Sequence, residues 1–218
     1  MRIAVLGTGI VGRTLAAALA GRGHDLVVGT RDVDATATRP DVAEWQAAHP
    51  GVRLVPLGET AAHGEVVVNA TSGEGTVAAV GAAGDVAGKV VADVSNALDF
   101  SAGFPPTLSV ANTDSIGEQL QRAFPDARVV KTLNTMNASV MADPSLVPGE
   151  HHVFVAGDDA EAKAVVTGLL TDLGWPATSV LDLGGIRAAR STEMYLPLWL
   201  SLMGVAGSPA FNIRLVRG

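Results

Sequence analysis

At 218 residues, with 48% hydrophobic and 17% charged side chains, the chain has apolar material for one large α/β domain or a domain with a modest extension. Its net charge of -7 argues against a general nucleic-acid or anionic-membrane surface, and the lack of cysteine excludes disulfides, thiolate metal sites and cysteine nucleophiles. No apolar run is long enough to cross a bilayer, and Met1-Arg2 leads straight into a structural strand rather than a signal peptide, so a cytoplasmic protein is expected.

The first element is an apolar strand ending in Gly7-Thr8-Gly9-Ile10-Val11-Gly12, which opens a helix of small residues. This G-x-G-x-x-G between strand and helix is a dinucleotide grip. Gly7 permits the tight turn, Gly9 admits a pyrophosphate against bare backbone, and Gly12 lets the helix pack closely on the strand. The unpaired N–H groups at the helix amino end then face the phosphates.

A second strand, Asp25 to Gly29, ends at Thr30-Arg31-Asp32, about twenty residues past the first glycines. A carboxylate at this strand end holds the ribose 2'-hydroxyl of NAD, whereas a cation receives the 2'-phosphate of NADP. Arg31 stands nearer the tip, and its planar fork can bind two phosphate oxygens while the Thr30 hydroxyl adds a third bond. NADP(H) is therefore expected. The competing reading makes Asp32 the ribose carboxylate and Arg31 a solvated charge; Arg39 is a second candidate phosphate contact.

Strands and helices alternate onward. A short helix over Asp41–His49 and a strand over Val52–Val55 come next, then a strand at Glu65–Asn69 with Ala70-Thr71-Ser72-Gly73 at its end and a helix at about Gly75 to Ala83. Further strands are expected at Lys89–Asp93, followed by Ser95-Asn96, and at Arg128–Thr132, followed by Leu133-Asn134-Thr135-Met136-Asn137. Beyond Ser139 come a loop over Asp143–Gly149, a strand over His152–Ala156, a helix over Asp159–Leu173 with acidic residues at its start, and a strand over Ala177–Leu183. The pattern predicts a doubly wound, mostly parallel α/β sheet of the Rossmann type, with residues 1–142 binding NADP and residues 143–218 completing the sheet and the second-substrate or dimer surface.

Polar residues gather at these strand ends, where an open α/β sheet places its ligand. Ala70, Thr71 and Ser72 are candidates for the pyrophosphate or ribose, Ser95 and Asn96 for the nicotinamide ribose, and Asn134, Thr135 and Asn137 for a carboxamide or second substrate. Ordinary turn chemistry explains any one of them equally well. No metal site is evident: His151 and His152 would face opposite ways in a strand, and His24, His49 and His63 are expected to be solvated. The segment Arg190–Gly204 is broken by Pro197, and its stripe of Met194, Leu198 and Leu202 suits packing on the sheet, on a partner subunit or over a bound ring.

The glycine turn, Thr30-Arg31, the run Val130-Lys-Thr-Leu-Asn-Thr-Met-Asn-Ala138 and the closing Leu196-Pro-Leu-Trp-Leu with Pro209-Ala-Phe-Asn-Ile213 together resemble the NADPH-dependent reductases of the deazaflavin coenzyme F420. The resemblance spans nearly the whole chain. It implies that a Thr-Arg pair receives the 2'-phosphate, and that the deazaflavin lies over the nicotinamide in a cleft under the carboxyl-terminal segment. In that arrangement Thr8, Gly9, Ile10, Val11, Gly12, Thr30 and Arg31 anchor NADPH, and Ser95, Asn96, Asn134 and Ala138 shape the stacking site.

An alcohol or ketone dehydrogenase moves a proton with the hydride and needs a positioned acid or base. None stands out, since Tyr195 lacks a lysine four residues later and Lys131 falls within a predicted strand. No catalytic side chain is assigned. Hydride exchange between nicotinamide and F420 or FMN asks for two stacked rings, with the cofactors carrying the chemistry. Two further classes stay open: a reductase of a small imine or carbonyl compound with Lys131 or Tyr195 as donor, and a non-catalytic NADP-binding sensor. The partners expected are small molecules, without nucleic acid or membrane, and the apolar tail makes a homodimer the expected assembly.

Overall fold

The computed structural model describes residues 1–218. Ten strands are present: β1 (Arg2–Leu6), β2 (Asp25–Thr30), β3 (Arg53–Pro56), β4 (Val66–Asn69), β5 (Val90–Asp93), β6 (Leu98–Asp99), β7 (Thr107–Leu108), β8 (Arg128–Thr132), β9 (Val153–Ala156) and β10 (Val180–Asp182). Eight form one sheet in the order β10-β9-β8-β5-β4-β1-β2-β3, while β6 and β7 make a separate antiparallel hairpin. All neighbours in the large sheet run parallel except β8 and β9. The chain reverses strand order between β1 and β4, and the crevice outside their carboxyl ends is the topological switch point where such sheets take ligands.

Strand alternation fills both faces. Ile3, Val5, Leu26, Val28, Val66, Val68 and Val130 point into one core, and Ala4, Leu6, Val27, Val67, Val91 and Val129 into the other. A sheet buried on both sides reads as continuous Val, Ile and Leu, which is why its strands were legible as apolar runs. Each fully buried Val or Leu contributes about 1.5–3 kcal/mol.

Helices cover both faces: α1 (Ile10–Gly21), α2 (Val33–Ala37), α3 (Pro40–Ala48), α4 (Thr60–His63), α5 (Thr76–Ala82), α6 (Ile116–Ala123), α7 (Ala138–Ala142), α8 (Ala160–Asp172), α9 (Ala189–Met194) and α10 (Leu196–Ala206). α1 and α8 pack in the first core, and α5 and α6 in the second. No helix is long and apolar enough to cross a membrane.

The structure corrects several sequence expectations. The strand expected over Ala177–Leu183 is a 3₁₀ turn over Ala177–Ser179 followed by the three-residue β10, because Pro176 fixes the chain in a turn just before it. The short α2, the hairpin, α6 and α7 were not anticipated. The apolar tail is two helices, with Pro197 in the first turn of α10. Its expected stripe does not pack on the sheet: Met194, Leu198 and Leu202 are exposed, and Leu196 and Trp199 are buried instead. His24, His49 and His63 are half-buried rather than solvated, with contacts to Asp172, the Trp45 carbonyl and the Asp25 carbonyl.

Candidate functional site

At the switch point, Gly7 adopts φ +111°, and a Cβ there would lie 2.6 Å from the Ala70 carbonyl oxygen. The turn after β1 and the loop after β4 are thus in contact through bare backbone. A Cβ on Gly12 would collide with the Gly7 carbonyl. Gly9 is different, since a Cβ on it would meet no protein atom within 4 Å. Its missing side chain relieves no clash inside the protein and leaves open space at the amino end of α1. That end has no side-chain cap, so its first-turn N–H groups are unsatisfied and available to an anion.

The rim of this space is cationic. Arg31 is exposed at the tip of β2 and enters no ion pair. Arg13 donates to the Thr8 carbonyl at 2.9 Å and to Asp41 at 2.6 Å, while Arg39 bonds Asp41 at 2.9 Å and the Thr8 hydroxyl at 3.3 Å. The two guanidiniums hold the Asp41 carboxyl below its ordinary range, Arg39 first. Arg13 drew no attention as a sequence position, because only folding brings its helix against α3. Asp32, the competing ribose carboxylate, accepts from the Ala35 N–H as the amino cap of α2. Thr30 is buried, and its hydroxyl is shared with Thr36 at 2.6 Å instead of projecting beside Arg31.

The other predicted residues lie along the same carboxyl edge. Ile10 and Ser72 are exposed, and Val11, Ala70 and Thr71 are half-buried. The Thr71 hydroxyl donates to Asn69 at 2.7 Å. Asn96 and Asn134 clasp each other: Asn96 Nδ2 donates to the Asn134 carbonyl at 2.9 Å, and Asn134 Nδ2 donates to Asn96 Oδ1 at 3.0 Å. Two loops expected to read the nicotinamide separately are therefore one unit. Asn137 caps α7 by accepting from the Ser139 N–H, and Ala138 is buried as the first residue of that helix. Ser95 and Thr135 are buried with hydroxyls that have no partner.

Beneath this edge lies a polar network that sequence reasoning missed. Lys131, wholly buried, donates to Asp93 at 2.8 Å, to the Ser95 carbonyl at 2.5 Å and to Glu193 at 2.7 Å. Asp93 also accepts from Asn69 Nδ2 at 2.7 Å and from the Ser95 N–H at 3.1 Å. Glu193 also accepts from the N–H groups of Ile116 and Gly117, at the start of α6. Burial opposes the Lys131 charge, but Asp93 and Glu193 together outweigh it and hold the ammonium above its ordinary pKa. All three N–H bonds of Lys131 are thereby occupied.

These features accompany a relationship to known proteins. Residues 2–97 match the family model described as NADP oxidoreductase, coenzyme F420-dependent. A solved structure of a candidate F420-dependent NADP reductase from Arthrobacter sp. FB24 is 53% identical, covers 100% of both chains and superposes with a TM-score of 0.96. The chain belongs to the coenzyme F420-dependent NADP oxidoreductase family. The F420-dependent NADP reductase of Methanothermobacter marburgensis is 26% identical over 209 residues, covering 93% of this chain and 92% of that protein. The metalloreductase STEAP3 of Rattus norvegicus is 30% identical over 204 residues, covering 91% of this chain, which spans 38% of STEAP3's length. This member of the F420-dependent family is an NADP-dependent oxidoreductase on a mostly parallel Rossmann-like sheet.

Proposed function

We propose that the chain transfers hydride between NADP(H) and a deazaflavin of the coenzyme F420 type, or a flavin such as FMN, by direct stacking of the two rings. Residues 1–142 hold the dinucleotide, with the pyrophosphate against Gly7, Thr8, Gly9, Ile10, Val11 and Gly12 and the amino end of α1. Arg31 receives the 2'-phosphate, with Arg39 beside it, and Ala70, Thr71 and Ser72 border the ribose. Ser95, Asn96, Asn134 and Ala138 shape the stacking site, and residues 143–218 complete the acceptor side and a homodimer surface. When bound, the cofactors supply the reaction itself, in which NADPH gives its hydride to the acceptor ring and becomes NADP+, and a proton from solvent completes the reduced acceptor.

The observation that carries this reading is the closure of Lys131. It is wholly buried, and each of its N–H bonds is spent on Asp93, Ser95 or Glu193, so it offers no proton at the edge. Tyr195, whose phenol burial pushes above its ordinary pKa, is half-buried. What the chain contributes is alignment, holding the reacting atoms at roughly 3–3.5 Å.

Anaerobic stopped-flow absorbance with purified protein, NADPH and oxidised F420, with FMN in parallel, tests the proposal. Bleaching of the acceptor band matched by loss of NADPH supports it and names the acceptor. Measurable NADPH binding without turnover of either ring would overturn it and direct attention to small imines and carbonyls, or to a binding role.

A further inference from the structure

The tail after α10 returns to the start of β9 and is held there by two adjacent histidines. His151 is buried, with its ring edge against Trp175. Its Nε2 lies 3.0 Å from the Pro144 carbonyl, and its Nδ1 lies 2.9 Å from Asn212 Nδ2. The same Asn212 nitrogen donates to the His152 carbonyl at 2.9 Å. Both backbone carbonyls are obligate acceptors, and they fix the protons. Nε2 of His151 must carry hydrogen, the NH₂ of Asn212 must face His152, and Nδ1 of His151 is left as an acceptor.

His152 holds the tail in the same way. Its Nδ1 accepts from the Leu215 N–H at 3.1 Å, while its own N–H donates to the Ile213 carbonyl at 2.8 Å. Each imidazole therefore grips the tail through an unprotonated Nδ1. Rotating the Asn212 amide would not rescue a protonated His151, because Asn212 Oδ1 would then face the His152 carbonyl. The charged groups alongside leave the rings to themselves: Glu150 and Arg214 pair with each other at 2.9 Å, and Asp143 is spent on Ser145.

We infer that His151 and His152 form an acid-labile latch on the carboxyl-terminal tail. A proton on either Nδ1 sets donor against donor and releases the segment from Phe211 to Gly218. Phe211 stacks on Trp199 with centroids 5.4 Å apart, so release also uncovers the buried side of α10. The closed latch has no room for a proton on either Nδ1, so acidification favours the open form and alkaline conditions the closed one. This inference is independent of the hydride acceptor.

Hydrogen–deuterium exchange of the full chain between pH 8 and pH 5, corrected for intrinsic exchange rates, tests it. The Leu215 and His152 amides should lose protection at pH 5 relative to pH 8, by about tenfold or more, while amides of α1 stay protected. His152→Asn supplies an acceptor that does not titrate. It should keep protection at pH 8 and lose less of it at pH 5 than the wild type. Equal protection at both pH values, equal pH dependence in the two proteins, or simultaneous exposure of α1 would overturn the latch.

Discussion

Lys131 and Glu193 meet at 2.7 Å as a wholly buried ion pair, joining the last residues of β8 to the carboxyl-terminal helices. The pair continues through Asp93 and Asn69 to Thr71 at the switch point, and through Glu193 to the amino end of α6. One hydrogen-bonded chain therefore fixes the ends of β4 and β5 relative to α9.

Lys131→Met should destabilise the protein by about 3–5 kcal/mol in urea denaturation, because it leaves two carboxylates buried without their cation. The folded ammonium has a raised pKa, so its contribution is fully present below the ordinary lysine value of about 10.4 and is lost as pH rises through the folded value. The difference between wild type and variant should accordingly stay level through neutral pH and narrow only under strongly alkaline conditions. A difference that already narrows between pH 6 and 8 would contradict the charged-lysine account.

Arg31→Glu should weaken NADPH about 10- to 100-fold and leave NADH within a few-fold, since a charge-assisted hydrogen bond is worth about 1.5–3 kcal/mol. Fluorescence titration with both dinucleotides decides the matter. Equal loss of the two would mean that Arg31 shapes the loop without touching the 2'-phosphate.

Gly9 and Gly12 should respond oppositely to alanine. Gly12→Ala drives a methyl group into the Gly7 carbonyl and should cost about 1–3 kcal/mol of stability or more. Gly9→Ala meets no protein atom, so its melting temperature should stay near wild type while NADPH affinity falls. Preserved affinity in Gly9→Ala would remove the pyrophosphate from that space.

Much of the frame was legible because its signals are local. β1, the glycine turn and α1 follow one another within a short stretch, and the strands buried on both faces show as Val-rich runs. The hairpin of β6 and β7 escaped notice because two-residue strands have no period to detect. The roles of Asn96, Asn134 and Asn137 were ambiguous for a different reason: a loop amide can face a ligand, a cap or another loop, and sequence alone does not choose. The sequence places Lys131 within a strand and leaves it a candidate proton donor, since its partners Asp93 and Glu193 are remote in the chain and come together only when β5, β8 and α9 assemble.

By itself, then, the sequence determined the alternating α/β frame, the glycine turn that opens α1 and the cation at the tip of β2, because each depends on neighbours a few residues away. Only the tertiary structure decided that Thr30 is turned toward Thr36, that Asn96 is clasped to Asn134, that Lys131 is enclosed by two carboxylates and that the tail is gripped by His151 and His152. Those are choices of polar partner. Buried donors and acceptors take whichever partner the packed chain brings within reach, and that is set by the fold as a whole.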